Sequence, residues 1–302
     1  MNERKVDFAV KRTRKLDPLE NAMQLLFFLC GAVAGAFVLV ITVYLVVSGL
    51  PAIQKVGLGN FLLGTTWASA SKTDPQYGIL PFILTSIYGT AGAILIGVPV
   101  GFLTAMFLAK AAPAKLAAVV RPAVDLLAGI PSVVYGMVGM VVLLPGIRGL
   151  FHLKAGDTLL AAILVLAVMI LPSIISVSET ALRAVPREYE EASLALGATE
   201  METYFRVSAP AAKSGIAAAV VLGVGRAIGE AMAIMMVAGN AANMPGLFKS
   251  VKFLTTAVAS EMSYAADGSL QKMALFSIGL VLFLFIMMIN VFLNLVLKRE
   301  KE

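Results

Sequence analysis

The chain has 302 residues, of which 59% are hydrophobic and only 14% are charged, and its mean hydropathy is +0.90. Soluble domains are about half apolar and about a quarter charged, so this composition excludes an ordinary soluble protein. The net charge of +6 does not indicate nucleic-acid binding, because the basic residues flank apolar blocks instead of forming a patch on one polar face.

Six apolar blocks are long enough to cross a bilayer as helices, which takes about 20 residues each. The first block follows a basic segment, residues 1–22, and is too long to be the apolar core of a signal peptide, so we expect a retained helix. The sequence therefore predicts an all-α integral membrane protein with six transmembrane helices. The predicted spans are residues 23–47, 80–109, 122–144, 159–177, 216–237 and 273–297.

The distribution of lysine and arginine predicts the orientation of these spans. With the N-terminus inside, 16 of the 24 basic residues fall on the cytoplasmic side and seven on the external side. This bias obeys the positive-inside rule. We therefore expect both termini, including the tail at 298–302, and the large loop at residues 178–215 to be cytoplasmic. Residues 23–297 form the transmembrane domain in this interpretation.

Several kinds of chemistry have no support in the sequence. Cys30 is the only cysteine and His152 the only histidine, so neither a disulfide within the chain nor a metal site is expected. There is no phosphate-binding GxxxxGK[ST] loop, so the chain should not hydrolyse ATP. A nucleophile set at one membrane depth is also missing, which argues against an intramembrane enzyme acting on lipid.

The large loop has the pattern of a helix-turn-helix. A first helix is predicted at residues 187–196 and should end at Gly197, a frequent C-terminal breaker. A second helix should begin at Thr199, which forms a capping box with Glu202, and end at Pro210. The pattern alone also fits an ordinary amphipathic connector.

Within this loop, Glu191-Ala192-Ser193, then Gly197, then residues 207–210 resemble the EAA loop of bacterial ABC-importer permeases. The spacing agrees without a gap, although Ser193, Val207 and Ala209 replace the usual residues. The resemblance implies the type I ABC importer permease fold, in which this loop docks on a cytoplasmic ATPase and couples ATP binding to the spans. It assigns this coupling role to Glu190, Glu191, Ala192, Ser193, Gly197, Thr199 and Pro210.

Two further motifs, residues 129–136 and residues 225–233 followed by 237–240, resemble phosphate-specific permeases, and more the PstC type than its PstA partner. This implies a permease for inorganic phosphate in the bacterial inner membrane. It also implies a second, PstA-like permease, two PstB-like ATPase subunits that bind ATP and Mg²⁺, and an external PstS-like phosphate-binding protein. The chain itself would bind no cofactor, would contact membrane lipid and would not be an enzyme.

Arg226 and Glu230 are the candidate substrate-pathway residues. They are four positions apart, which would place them on one face of a helix. Arg226 lies about 15 Å along this helix from its start at Ile216, near the middle of the membrane. Its planar guanidinium suits an oxyanion, and Glu230 would hold it in place and keep anion binding weak enough for release. The alternative is a structural ion pair, including one shared with a partner subunit.

Two other functions remain open from the residues. A sulfate or molybdate permease would share a related Arg-Ala-x-Gly-Glu motif, and a stand-alone secondary anion carrier would need no ATPase. Uptake competition among oxyanions separates the first from a phosphate permease, and transport by this chain alone would reveal the second.

Overall fold

The computed structural model describes residues 18–71 and 73–299, and these ranges are largely helical. The predicted N-terminal segment lies mostly outside them, as does the end of the predicted tail. The chain divides into two units between Tyr44 and Leu45, inside the first helix. The helices of the first half are α1 (Pro18–Val56), α2 (Leu58–Leu63), α3 (Leu80–Met106), α4 (Ala114–Gly129), α5 (Ser132–Val138), α6 (Leu144–Leu150) and α7 (Leu159–Arg183).

The second half consists of shorter helices followed by one long C-terminal helix. They are α8 (Arg187–Ala195), α9 (Glu200–Thr203), α10 (Ala209–Ala211), α11 (Lys213–Gly229), α12 (Met232–Val237), α13 (Leu254–Glu261) and α14 (Leu270–Arg299). Within the described residues, three π-helical turns interrupt the α-helices, at Phe107–Ala111, Gly139–Leu143 and Tyr204–Ser208. Strands β1 (Trp67–Ala68) and β2 (Gln76–Tyr77) form a small antiparallel hairpin.

Five stretches of the described chain are long and apolar enough to cross a membrane: Ala22–Val56, Leu80–Ala111, Ser132–Leu150, Leu159–Arg183 and Leu270–Val291. A sixth is obtained if Glu200–Ala211 and Lys213–Gly229, which meet at a bend of 73°, are taken as one broken span. On that count the number is six, as predicted, but residues 200–211 of this sixth stretch lie in the predicted loop and not in a predicted span. The bounds differ most at the predicted third span and at the predicted fifth span, residues 216–237, which is interrupted between Gly229 and Met232.

The predicted third span, residues 122–144, is wrong in position. Ile130 is extended (φ −69°, ψ 128°), and Pro131 follows it, so α4 ends at Gly129 and α5 starts at Ser132. A proline lacks a backbone N–H and disfavours helical geometry in the residue before it. The span that fits a membrane is Ser132–Leu150. Hydropathy averaged over a window does not detect such a break.

Helix α7 lies at the centre of the packed unit. Of its most apolar window 61% is buried, against 33% for the window in Leu80–Ala111. Helix α3 approaches it through Gly97 and Gly101, where an added Cβ would lie 2.6 Å from Cδ1 of Ile170 and 2.8 Å from Cγ2 of Ile174. The small residues therefore permit close contact between the two helices, as expected for small-xxx-small pairs.

The bundle has two different ends. The loop end carries residues 184–212, which contain α8 to α10. The hairpin end carries β1, β2 and the short helix α13. There the segment before α13 runs beside the start of α7, where the N–H of Leu160 donates to the carbonyl oxygen of Leu247 at 2.9 Å.

Candidate functional site

Arg226 lies on α11, three residues before that helix ends, and its side chain is half-buried. Its Nη1 donates one long hydrogen bond, 3.4 Å, to Oγ of Ser173 on α7. Its charge also acts on the hydroxyl of Tyr135 on α5. In the part of the chain that the structure describes, no carboxylate forms an ion pair with this guanidinium. Arg226 is therefore a half-buried cation with unused donors.

The expectation that Arg226 and Glu230 share a helix face is wrong. Helix α11 ends at Gly229, and Glu230 has an extended backbone (φ −72°, ψ 129°). Its Oε1 accepts a hydrogen bond at 2.9 Å from the N–H of Ala233, near the start of α12. The first N–H groups of a helix have no partner within it, and an acidic side chain satisfies one of them. The carboxylate of Glu230 therefore stabilises a helix start instead of holding the guanidinium.

A hydrogen bond from the hairpin end stabilises the break between α11 and α12. The hydroxyl of Thr255, on α13, donates to the carbonyl oxygen of Glu230 at 2.7 Å. Irregular backbone at membrane depth is tolerated where it is buried in protein or lines a water-filled cavity. A broken helix beside an embedded arginine has the architecture of sites that handle polar solutes in membranes.

The two motifs that suggested a phosphate permease pack against each other. Gly136, on α5, faces α12, and an added Cβ would lie 2.8 Å from Sδ of Met236 and 3.0 Å from Cα of Ala233. The neighbouring Tyr135 donates its hydroxyl to the carbonyl oxygen of Leu127 at 2.7 Å. The residues around Arg226 thus come from α5, α7 and the α11–α12 break, which are remote in sequence.

A separate apolar groove of about 1030 Å³ lies between α5, α6 and α7. Apart from Tyr135, whose hydroxyl is already bonded, its lining side chains are aliphatic or aromatic hydrocarbon or glycine. Such a lining offers no donors for an oxyanion. The groove is therefore not the place where a charged solute would bind.

The tip of the α8–α10 loop has the predicted local geometry. Gly197 adopts φ +86°, a left-handed conformation that glycine reaches without steric cost. The hydroxyl of Thr199 accepts from the N–H of Glu202, and the carboxylate of Glu202 accepts from the N–H of Thr199, so the capping box is confirmed. Pro210 does not end the second helix, because α10 continues to Ala211.

Five of the seven predicted coupling residues lie on the exposed surface of this loop: Glu191, Ala192, Gly197, Thr199 and Pro210. Large apolar side chains are exposed beside them, and Leu196 at the tip is 90% exposed. The others are Tyr189, Leu194, Met201 and Phe205. An exposed apolar cluster on a rigid loop is typical of a docking surface for another protein.

The other two predicted coupling residues have internal contacts. Ser193 places its Oγ 2.9 Å from Oγ1 of Thr203, which joins α8 to α9. Glu190 points towards the bundle, where its Oε1 lies 2.5 Å from Nζ of Lys110 and accepts from Oγ of Ser208 at 2.6 Å. Burial raises the pKa of Glu190, but the Lys110 and Ser208 hydrogen bonds and the Lys110 charge together lower it below the ordinary value. Glu190 is an ionised anchor of the loop, not part of its exposed tip.

A second buried carboxylate, Glu179 on α7, went unnoticed in the sequence. Its Oε1 accepts from Nε of Arg121 at 2.6 Å and from Nε of Arg183 at 2.9 Å. The spacing of Glu179 and Arg183 is a readable i,i+4 signal. The contribution of Arg121, from α4, depends on tertiary structure and has no local signature.

A third polar cluster lies at the hairpin end around Glu261, the last residue of α13. Its carboxylate accepts from Nε1 of Trp67 at 3.1 Å, from Oγ of Ser69 at 2.9 Å and from Nζ of Lys252 at 2.5 Å. These contacts attach the β-hairpin and the segment before α13 to one carboxylate. The cluster gives this end of the protein a fixed shape.

Comparison with known proteins places these features in a family. Residues 97–301 match the family described as "Binding-protein-dependent transport system inner membrane component". A Bacillus subtilis protein named probable ABC transporter permease protein YqgH is 40% identical over 287 residues, covering 93% of this chain and 92% of that protein. The phosphate transport system permease protein PstC of Haemophilus influenzae is 36% identical, covering 87% and 88%.

The fold has a counterpart among solved structures. A chain of the MetNI methionine ABC transporter in an inward-facing conformation is similar, with a TM-score of 0.54 and 23% identity. The similarity covers 74% of this chain and 94% of the MetNI chain. It confirms the predicted type I permease fold.

Proposed function

The chain belongs to the family of binding-protein-dependent transport system inner membrane components and is a permease subunit of an ABC importer, and from this premise we propose that its substrate is inorganic phosphate. Relatives named phosphate permease PstC, from Haemophilus influenzae, Mesorhizobium japonicum and others, support this proposal. Members of this family are transport components and not enzymes.

The observation that carries the proposal is that Arg226 has no carboxylate partner among the described residues. A charge inside a membrane is costly and normally has a partner. Its only hydrogen bond among the described residues is the long one to Ser173, and Glu230 is engaged elsewhere. Phosphate carries one or two negative charges at neutral pH, and a guanidinium can bind it through two parallel hydrogen bonds. Arg226 would supply positive potential for the anion as it passes the α11–α12 break.

The remaining components of the importer belong to the proposal. The exposed loop tip around Leu196 would dock on one of two ATPase subunits, which hold ATP and Mg²⁺. The hairpin end would face an external phosphate-binding protein. A second, similar permease would complete the path, because a bundle of six helices with one such loop engages one ATPase only.

The proposed location is the bacterial inner membrane. The distribution of Lys and Arg supports an orientation with the loop end and both termini in the cytoplasm. A cysteine introduced at residue 196 should then react with a membrane-impermeant label only after the membrane is permeabilised. A cysteine introduced near residue 72 should react with it in intact cells.

Uptake by the reconstituted importer tests the substrate. Proteoliposomes containing this chain, its partner permease, the ATPase and the binding protein should accumulate labelled phosphate when ATP is enclosed. Unlabelled phosphate should compete, and sulfate or molybdate at equal concentration should not. Competition by sulfate or molybdate instead of phosphate would make the chain another kind of oxyanion permease.

The same preparation without the ATPase is the control for the mode of transport. We expect no accumulation from this chain alone or from the two permeases without the ATPase. Phosphate uptake by this chain alone would mean that it is a secondary carrier and would contradict the proposed assembly.

A further inference from the structure

We propose that the π-helical turn Phe107–Ala111 is the junction through which the loop moves the transmembrane bundle, with Lys110 and Glu190 as its positioning residues. The inference rests on the proposed docking of the loop tip on an ATPase. It concerns how a displacement of that tip would reach α3, and it does not depend on which anion is carried.

From the loop side, two separate helical segments hold Lys110. The Nζ of Lys110 lies 2.5 Å from Oε1 of Glu190, near the start of α8. The hydroxyl of Tyr204, after α9, donates to the carbonyl oxygen of Lys110 at 3.2 Å. Both halves of the helix-turn-helix therefore contact Lys110. Glu190 in the first half binds its side chain, and Tyr204 in the second half binds its backbone carbonyl.

From the bundle side, two arginines hold a residue two positions earlier. The Nη2 atoms of Arg121 and Arg183 donate to the carbonyl oxygen of Leu108 at 3.0 and 3.1 Å. Both arginines also bind Oε1 of Glu179. One short turn thus connects α4 and α7 to the same end of α3.

The π-helical geometry explains why these carbonyl groups are available. Residues at the C-terminal end of a helix have carbonyl groups without intrahelical partners. A π turn bonds i to i+5, as the 2.7 Å bond from the N–H of Ala112 to the carbonyl oxygen of Phe107 shows, and Pro113 has no N–H to offer. Cationic side chains satisfy such carbonyls and interact favourably with the negative end of the helix dipole.

Burial makes the Lys110–Glu190 contact firm enough to transmit displacement. The two side chains are only 10% and 18% exposed. Water screens such a pair weakly, and removing one partner leaves an uncompensated buried charge. If an ATPase pulled the loop tip, the end of α3 would move with it. The hydrogen bonds from Arg121 and Arg183 to the carbonyl oxygen of Leu108 would then transmit the movement to α4 and α7.

The test uses the complete importer in proteoliposomes and measures phosphate accumulated per ATP hydrolysed. This ratio is insensitive to how much complex assembles, so a merely structural defect would not change it. Lys110→Met should lower the ratio about tenfold, the factor expected when a charge-assisted hydrogen bond is lost from an equilibrium. Lys115→Met, which removes an exposed lysine five residues later, is the matched control and should leave the ratio unchanged.

Two more variants keep the inference testable if Lys110→Met does not assemble. The exchange Lys110→Glu with Glu190→Lys should restore most of the ratio, since it restores the pair with reversed charges. Tyr204→Phe removes a single hydroxyl and should lower the ratio by a smaller factor. An unchanged ratio in Tyr204→Phe and in Lys110→Met, or in Tyr204→Phe alone if Lys110→Met does not assemble, would overturn the junction.

The outcome also separates this inference from the proposed function. If crosslinkers at residue 196 never capture the ATPase in the wild-type importer, the docking is wrong and the junction falls with it. If the ATPase is captured and the wild type accumulates phosphate, but the variants keep the normal ratio, only the junction is wrong.

Discussion

The carboxylate of Glu230 accepts a hydrogen bond from the N–H of Ala233. The acidic residue nearest to Arg226 in sequence therefore stabilises the start of α12. The half-buried guanidinium of Arg226 is left with one long hydrogen bond, to Ser173. This division of roles gives the two residues different expected phenotypes, although the sequence suggests that they act as a pair.

Replacing Arg226 should impair transport without preventing assembly. In Arg226→Gln the side chain keeps a donor for Ser173 but loses its charge, so phosphate uptake should fall at least about tenfold. Arg226→Lys should retain partial uptake, because an ammonium attracts an anion as a point charge but lacks the planar fork. Uptake of labelled phosphate, normalised to the amount of purified complex, is the measurement. Normal uptake by Arg226→Gln would rule out a direct role in the path.

Replacing Glu230 should mainly affect stability. Glu230→Ala removes the acceptor for the N–H of Ala233 and should cost about 0.5–2 kcal/mol, as lost helix caps do. Glu230→Gln keeps an oxygen acceptor and should be close to wild type in both thermal unfolding in detergent and uptake. If Glu230→Gln unfolds normally but fails to transport, the negative charge itself is needed in the path.

Gly239 should tolerate no side chain. Its φ is +81°, and an added Cβ would lie 2.0 Å from Oγ of Ser250 and 2.2 Å from Oδ2 of Asp157. The left-handed conformation alone costs an L-residue about 1–2 kcal/mol, and the two contacts add to it. Gly239→Ala should therefore lower the unfolding temperature. Gly59→Ala is the control, because Gly59 lies in α2 with nothing within 4 Å of the added atom. Equal unfolding temperatures for the two variants would contradict this.

The stability of the hairpin end should depend on acid pH through Glu261. Burial raises the pKa of Glu261, but the hydrogen bonds from Lys252, Ser69 and Trp67 and the Lys252 charge outweigh it and hold the pKa below its ordinary value of 4.5. A lowered carboxyl pKa stabilises the folded state fully above the unfolded-state value, and this stabilisation is lost as the pH falls through the folded-state value.

Glu261→Gln, which cannot ionise, isolates this effect from other carboxylates such as Asp267. The wild type should unfold at a higher temperature than Glu261→Gln at pH 7. The difference should shrink as the pH drops below 4.5. A difference that stays constant down to strongly acid pH would show that ionisation of Glu261 contributes nothing.

Features of the fold that depend on neighbouring residues could be predicted from the sequence. The capping box at Thr199 and the turn at Gly197 are local, and the structure confirms both. The type I permease fold and the family also follow from the motifs, and the comparisons confirm them. Hydropathy gave the number of spans, provided that the bent pair is one span.

Features that depend on breaks or on distant contacts could not. The interruption at Pro131 and the extended backbone of Glu230 lie inside apolar blocks that read as continuous helices. The inward direction of Glu190 depends on Lys110, which is remote in sequence and supplies the opposite charge. The path role of Arg226 and the docking of the loop tip remain predictions.

The π-helical turn at Phe107–Ala111 has a consequence for insertions and deletions. A residue added to or removed from an α-helix rotates everything beyond it by about 100°, since one turn holds 3.6 residues. Deleting Ala109 would let α3 continue in regular register, yet Lys110 would then point away from Glu190. Permeases that keep this contact should therefore share the same residue spacing between Gly101 and Pro113, even where the amino acids between them vary.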